Sequence, residues 1–147
     1  MSVETITTIS PFTNKAIVTR NGISPEDLDL LPTTATESFQ KFKKTSLKER
    51  QEIVKKALKL LDDKQDVLAK ELTEQMGRPI AYTAKEVSTA VKRGEYLLKI
   101  SEDALKDTDG EAEKGFKRFI RKIPVGPVLV IFAWNVSCTF NFKGTAN

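Results

Sequence analysis

At 147 residues, 39% hydrophobic and 30% charged, the chain has the size and composition of one modest globular domain. It contains no histidine and one cysteine, which removes Ser-His-Asp and Cys-His nucleophile activation, the HExxH zinc site, imidazole general bases and any internal disulfide. The formal charge of +4 arises from Lys and Glu interleaved along most of the chain, so no nucleic-acid partner is expected.

No apolar run reaches membrane-spanning length, and the first residues lack the basic-then-apolar layout of a signal peptide. With the lone cysteine, these features predict a cytoplasmic protein without a membrane span.

In chain order, Ile9-Ser-Pro-Phe-Thr-Asn14 carries a turn signature and leads into a short strand, Lys15-Ala-Ile-Val-Thr-Arg20, closed by Asn21-Gly22. Ser24-Pro-Glu-Asp27 and Pro32-Thr-Thr34 both resemble helix starts, with Pro near the first helical position. A helix over residues 34–44 puts Ala35, Phe39 and Phe42 on one side. Ser46-Leu-Lys-Glu49 is a capping box: the serine oxygen accepts an N–H three residues on, and Glu49 reaches back.

Beyond it, Ile53, Val54, Ala57, Leu58, Leu60 and Leu61 recur at helical spacing. Lys41, Lys43, Lys44, Lys48, Arg50, Lys55, Lys56 and Lys59 make the densest basic run, and Asp62, Asp63 and Asp66 follow it. A solvated helix face accounts for this pattern better than a phosphate-binding stripe. The apolar pattern resumes at Val67, Leu68, Leu72 and Met76, which predicts a kink or break near residue 63. Gly77 followed by Pro79 is a stop signal.

A further helix is expected from Pro79 to Leu105, with Ala84, Val87, Val91, Leu98 and Leu105 on its apolar side. Gly94 weakens its propensity and marks a candidate close approach. Asp107-Thr-Asp-Gly110 ends it. Phe116-Lys-Arg-Phe-Ile-Arg-Lys122 alternates apolar and basic residues as a half-exposed strand does. Pro127-Val-Leu-Val-Ile-Phe132 reads as a strand buried on both faces. A doubly wound sheet cannot stand on one such strand, and its parallel neighbours are not seen in these residues.

The end of that strand is the candidate site, because open α/β sheets place cofactors and catalytic groups there. Taken alone, Asn135 is either a turn residue holding its own backbone or a catalytic amide, and Gly126-Pro127 is a turn. The seven glycines form no G-x-G-x-x-G phosphate loop.

Together the motifs resemble the N-terminal part of the aldehyde dehydrogenase superfamily. They occur in family order: Ser10-Pro-Phe-Thr-Asn14, the helix around Ala35 and Phe42, Ser46-Leu-Lys-Glu-Arg50, Leu72-Thr-Glu-Gln-Met-Gly-Arg-Pro79, Glu86-Val87, and Ile123-Pro-Val-Gly-Pro127 running into Ile131-Phe-Ala-Trp-Asn135. The resemblance implies an incomplete α/β fold. Its parts are N-terminal helices, the first strand of a Rossmann-like cofactor domain and a β-ribbon assembly strand around residues 116–122.

It also implies a chemistry. In the family a cysteine thiolate attacks an aldehyde, hydride passes to NAD or NADP, and a glutamate-activated water releases the carboxylic acid. Asn135 matches the amide that holds the oxyanion. Ile131, Ala133, Trp134 and Asn135 match positions lining the cofactor cleft. Most relatives have Pro where this chain has Ala133, a departure that loosens the turn and leaves the assignment standing. The family's nucleophilic cysteine, general-base glutamate and cofactor-ribose residues lie beyond position 147. Cys138, in a different context from the family cysteine, is expected to be incidental.

Residues 1–135 are accordingly expected to be the N-terminal part of an aldehyde dehydrogenase domain, and 136–147 a divergent tail that is disordered. Val136-Ser137 can be encoded by GTAAGT or GTGAGT, an intron start, so the tail is expected to be translated intron or a frameshift. Unspliced transcript without a downstream coding exon would rule the intron out. The leading expectation is an oxidoreductase fragment inactive alone, which does not hold NAD or NADP by itself. The alternatives are a non-catalytic fragment that associates with full-length subunits, and a gene product without function.

Overall fold

The computed structural model of the protein describes residues 4–131. It opens with a hairpin in which β1 (Thr5–Ile9) pairs antiparallel with β2 (Ala16–Asn21), from Thr5 opposite Asn21 to Ile9 opposite Ala16. The turn closes through the Ser10 N–H on the Lys15 carbonyl at 2.8 Å and the Asn14 N–H on the Ser10 carbonyl at 2.9 Å. Asn14 sits at φ 55, a left-handed conformation that asparagine tolerates. β2 was anticipated and β1 was not, although Thr-Ile-Thr-Thr-Ile is rich in β-branched residues that favour a pleated surface.

The first helix, α1 (Pro25–Phe42), starts nine residues earlier than the expected position 34, so Pro32 lies inside it. Its N-terminus is fully equipped: the Ser24 hydroxyl accepts the Asp27 N–H at 3.0 Å, Pro25 takes the first position, and Glu26 and Asp27 face the positive end of the dipole. No α1 residue is buried; Ala35 and Phe39 are half-buried.

Three helices form the core. α2 (Leu47–Asp63) begins at the anticipated capping box, with the Ser46 N–H on Glu49 Oε2 at 2.7 Å and the Glu49 N–H on Ser46 Oγ at 3.2 Å. The chain breaks at Lys64 and resumes as α3 (Gln65–Met76), which ends on Gly77 in the left-handed region at φ 74. α4 (Ile80–Leu105) packs across both. Among the described residues Leu58, Ala69, Val87, Ala90 and Val91 are the buried hydrophobic ones, and Val54, Leu61, Leu97 and Leu98 pack half-buried around Leu58 and Ala90. Gly94 lies against Leu58, the close approach anticipated from the sequence.

The remaining strands are short. β3 (Thr108–Asp109) pairs antiparallel with β4 (Phe119–Ile120), Thr108 opposite Ile120 and Asp109 opposite Phe119. The strand expected over 116–122 thus shrinks to two paired residues. The buried strand expected over 127–132 is also corrected: residues 127–131 form no strand, and Val128, Leu129, Val130 and Ile131 are exposed. A central strand takes its hydrogen bonds from flanking strands, and among the described residues none lies alongside.

Candidate functional site

Of the residues to which the sequence assigns chemistry, only Ile131 is described; Ala133, Trp134, Asn135 and Cys138 lie outside the described residues. Ile131 is the last described residue, follows a non-strand segment and is 87% exposed.

That segment leaves the helical layer at a defined point. Arg121 grips Asp107, the second residue past α4, with Nε at 3.1 and 3.2 Å from the two carboxylate oxygens and Nη2 at 2.7 Å from Oδ2. The hydrogen bond from Arg121 holds the Asp107 carboxyl below its ordinary pKa, and the same bond raises that of Arg121. Lys122 Nζ donates to the Ala104 carbonyl in the last turn of α4 at 2.7 Å. The Arg121 guanidinium also lies 4.8 Å from the Phe119 ring centroid.

Farther along, Gly126 and Pro127 line a shallow cleft with Ala35, Ser38, Phe39, Lys41, Phe42 and Thr45 from α1 and the turn after it. The anticipated apolar side of α1 is the one that meets this segment. Gly126 sits at φ 134, where an L side chain is strained.

A dinucleotide requires donors for its phosphates and a wall for its rings. The lining of the cleft is mainly apolar, with Ser38, Lys41 and Thr45 as its polar side chains, and Ile131 is not part of that lining. No cluster of metal-ligating side chains occurs among the described residues.

The sequence reading did not single out Asp107 and Arg121 as partners. It placed Asp107 in the turn that stops α4 and Arg121 in an alternating strand; only opposite charges on either side of the ribbon hinted at the pairing. It named Arg78 and Glu86 within motifs but not as an ion pair. Glu86 is buried on α4, and Arg78 from the α3–α4 connection binds its carboxylate. Beside it Thr83, fully buried, donates to the Ile80 carbonyl at 3.0 Å and meets the Thr73 hydroxyl at 3.3 Å. These contacts tie α3 to α4.

A helical layer that carries a hairpin on one side and delivers an apolar segment past a short ribbon defines a mixed α and β class. Solved structures share it: HpcC from Thermus thermophilus superposes at a TM-score of 0.87 with 22% identity, over 97% of this chain and 28% of its own. At that identity the likeness establishes the fold. The chain belongs to the aldehyde dehydrogenase family, whose model matches residues 1–146.

Among characterised relatives, 3-succinoylsemialdehyde-pyridine dehydrogenase of a Pseudomonas species is 30% identical over 86% of this chain and 26% of its own length. Succinate-semialdehyde dehydrogenase [NADP(+)] 1 of Mycobacterium tuberculosis is 26% identical over 88% of this chain and 29% of its own. The chain thus spans between a quarter and a third of the relatives it matches. Among the described residues no helix is long and apolar enough to cross a membrane.

Proposed function

We propose that the chain is the N-terminal portion of an NAD(P)+-dependent enzyme that oxidises an aldehyde to a carboxylic acid. Asn135 supplies the amide that receives the developing oxyanion, and Ile131, Ala133 and Trp134 form part of the cofactor wall. The observation that carries this reading is the family match over residues 1–146, which runs through the whole Ile131-to-Asn135 segment. An oriented amide N–H aimed at developing negative charge lowers an acyl-transfer barrier by about 3–4 kcal/mol. The resemblance puts the nucleophilic cysteine, the general-base glutamate and the ribose contacts in the length of the relatives beyond the 26% that this chain matches. The chain alone is therefore inactive, and its site of action is the cytoplasm.

The exposed ribbon favours a second reading. Phe116, Phe119 and Ile120 are solvent-facing apolar residues on or next to a ribbon that has two strands among the described residues, a surface suited to pairing with full-length subunits. Co-purification with a full-length dehydrogenase, lost on Ile120→Lys, tests it.

Calorimetric titration of the folded chain with NAD+ and NADP+ is expected to show no binding, and micromolar affinity would overturn the partial-site reading. The role of Asn135 is tested in a chimera carrying residues 1–135 ahead of the remainder of an active relative. Asn135→Ala is expected to lower kcat by about 10²–10³-fold. A folded, active chimera indifferent to that change would refute the assignment.

A further inference from the structure

We propose that Asp107, Arg121 and Lys122 form a latch that sets the direction in which the 123–131 segment leaves the helical layer, making them positioning residues for whatever the segment carries. Its bearing on catalysis rests on reading Asn135 as the oxyanion amide; the latch itself does not.

From residue 121 to 131 the described backbone forms no strand. Among the described residues no ladder of backbone hydrogen bonds orients it, and side chains supply its fixed points. Two act at the residues just before the 123–131 segment, Arg121 and Lys122, and both reach the C-terminal end of α4. The guanidinium of Arg121 engages both oxygens of Asp107, a planar fork that specifies an angle as well as a distance. The ammonium of Lys122 takes the Ala104 carbonyl, one of the acceptors a helix leaves unsatisfied in its last turn.

A cation at that position also complements the negative end of the helix dipole, and the last turn of α4 supplies no basic residue of its own. The platform is firm, because α4 is the helix that buries Val87, Ala90, Val91 and Gly94. The next fixed point is Gly126-Pro127 in the cleft against α1. A segment pinned at 121–122 and resting at 126–127 has a defined heading. With the latch open, only the shallow cleft remains.

The bonds are solvent-exposed, with Arg121 and Asp107 side chains 62% and 37% accessible. Each is therefore weak and screened by salt. Such a latch holds a heading without stabilising the fold, and this property separates it from an ordinary structural contact.

The test measures spin-label distances on the full 147-residue chain with Cys138→Ser as background. One label pair, at Tyr96 and Val128, reports the segment, and a second, at Lys55 and Lys99, reports the helical layer. The expected result for the parent chain is a single narrow distance for both pairs. Arg121→Lys, which keeps the charge but loses the fork, and Asp107→Asn should each broaden the single peak of the first pair and leave the second unchanged. Charge exchange, Asp107→Arg with Arg121→Asp, should restore the narrow peak. Salt near 1 M, where the screening length is about 3 Å, should reproduce the broadening in the parent chain without any substitution. A Tyr96–Val128 peak that stays narrow through both single changes and high salt would overturn the latch, whatever the chimera says of Asn135.

Discussion

Gly94 sits midway along α4 with the buried Leu58 against it. A Cβ there would stand 2.4 Å from Leu58 Cδ2 and 3.1 Å from Cδ1. Leu58, only 4% exposed and surrounded by Val54, Leu61, Leu97 and Leu98, has little room to yield. Gly94→Ala gains about 1 kcal/mol of helix propensity and incurs about 1–3 kcal/mol of overpacking. The net expectation is a loss of about 1 kcal/mol, read as a lower urea midpoint; a raised midpoint would mean that Leu58 has a second rotamer available.

At the same scale, Glu49 accepts the Ser46 N–H, and this bond, with the Ser46 hydroxyl adding to it, lowers its pKa from the ordinary 4.5. A depressed carboxyl stabilises the fold above its unfolded pKa and loses that contribution as pH falls through the folded one. The stability gap between the parent chain and Glu49→Gln should therefore be present at neutral pH and close on acidification below 4.5. A gap independent of pH would show that the carboxylate charge plays no part in the cap.

Among the elements, α1 departs furthest from its sequence reading. A proline after a first helix-start signature suggested a new start near residue 34, yet the helix runs through Pro32 from Pro25. The missing N–H at Pro32 leaves one intrahelical bond unmade, and the Thr36 hydroxyl donates to the Pro32 carbonyl at 2.8 Å. Pro32→Ala should favour helix locally by about 3 kcal/mol. Because α1 buries no residue in the core, that gain should appear as slower amide exchange within α1, with the global unfolding midpoint nearly unmoved. A large rise in the midpoint would mean that α1 unfolds together with α2, α3 and α4.

The helix ends and the 127–131 segment illustrate the opposite limits of legibility. The capping box at Ser46, the break near 63 and the Gly77 stop are encoded by neighbours within one turn, and the structure bears all three out. The strand expected at 127–132 depended on partners far away in sequence, and an apolar run cannot say whether they are present.

Across the molecule, the hairpin meets the helices where Pro11 touches Gly77. A Cβ at Gly77 would lie 2.8 Å from Pro11 Cγ, and its φ of 74 already disfavours any side chain. Gly77→Ala should cost about 1–2 kcal/mol from the backbone alone, with further loss from the contact. It should also speed exchange of the Gly22 amide, which closes the hairpin on the Glu4 carbonyl at 2.7 Å. Unchanged exchange at Gly22 would mean that the hairpin is stable without the helices.

The described surface also exposes Val128 at 57% and Leu129 at 82%, an apolar stretch with high β-propensity. Leu129→Lys should reduce concentration-dependent light scattering. Equal scattering from both forms would place the self-association elsewhere.

What the sequence by itself determined is local: the caps and stops of the helices, the apolar face of α4, the small-residue contact at Gly94, and the family order of the motifs. The caps, the stops and the apolar face depend on residues a few positions apart, where helical periodicity and backbone chemistry act directly; Gly94 and the motif order are legible because residue type and sequence order are themselves in the chain. The tertiary structure alone decided which charged groups meet. Arg121 on Asp107 and Arg78 on Glu86 join residues 14 and 8 positions apart across turns. It also decided that the apolar 127–131 run stays exposed, because burial requires a partner surface and periodicity carries no information about one.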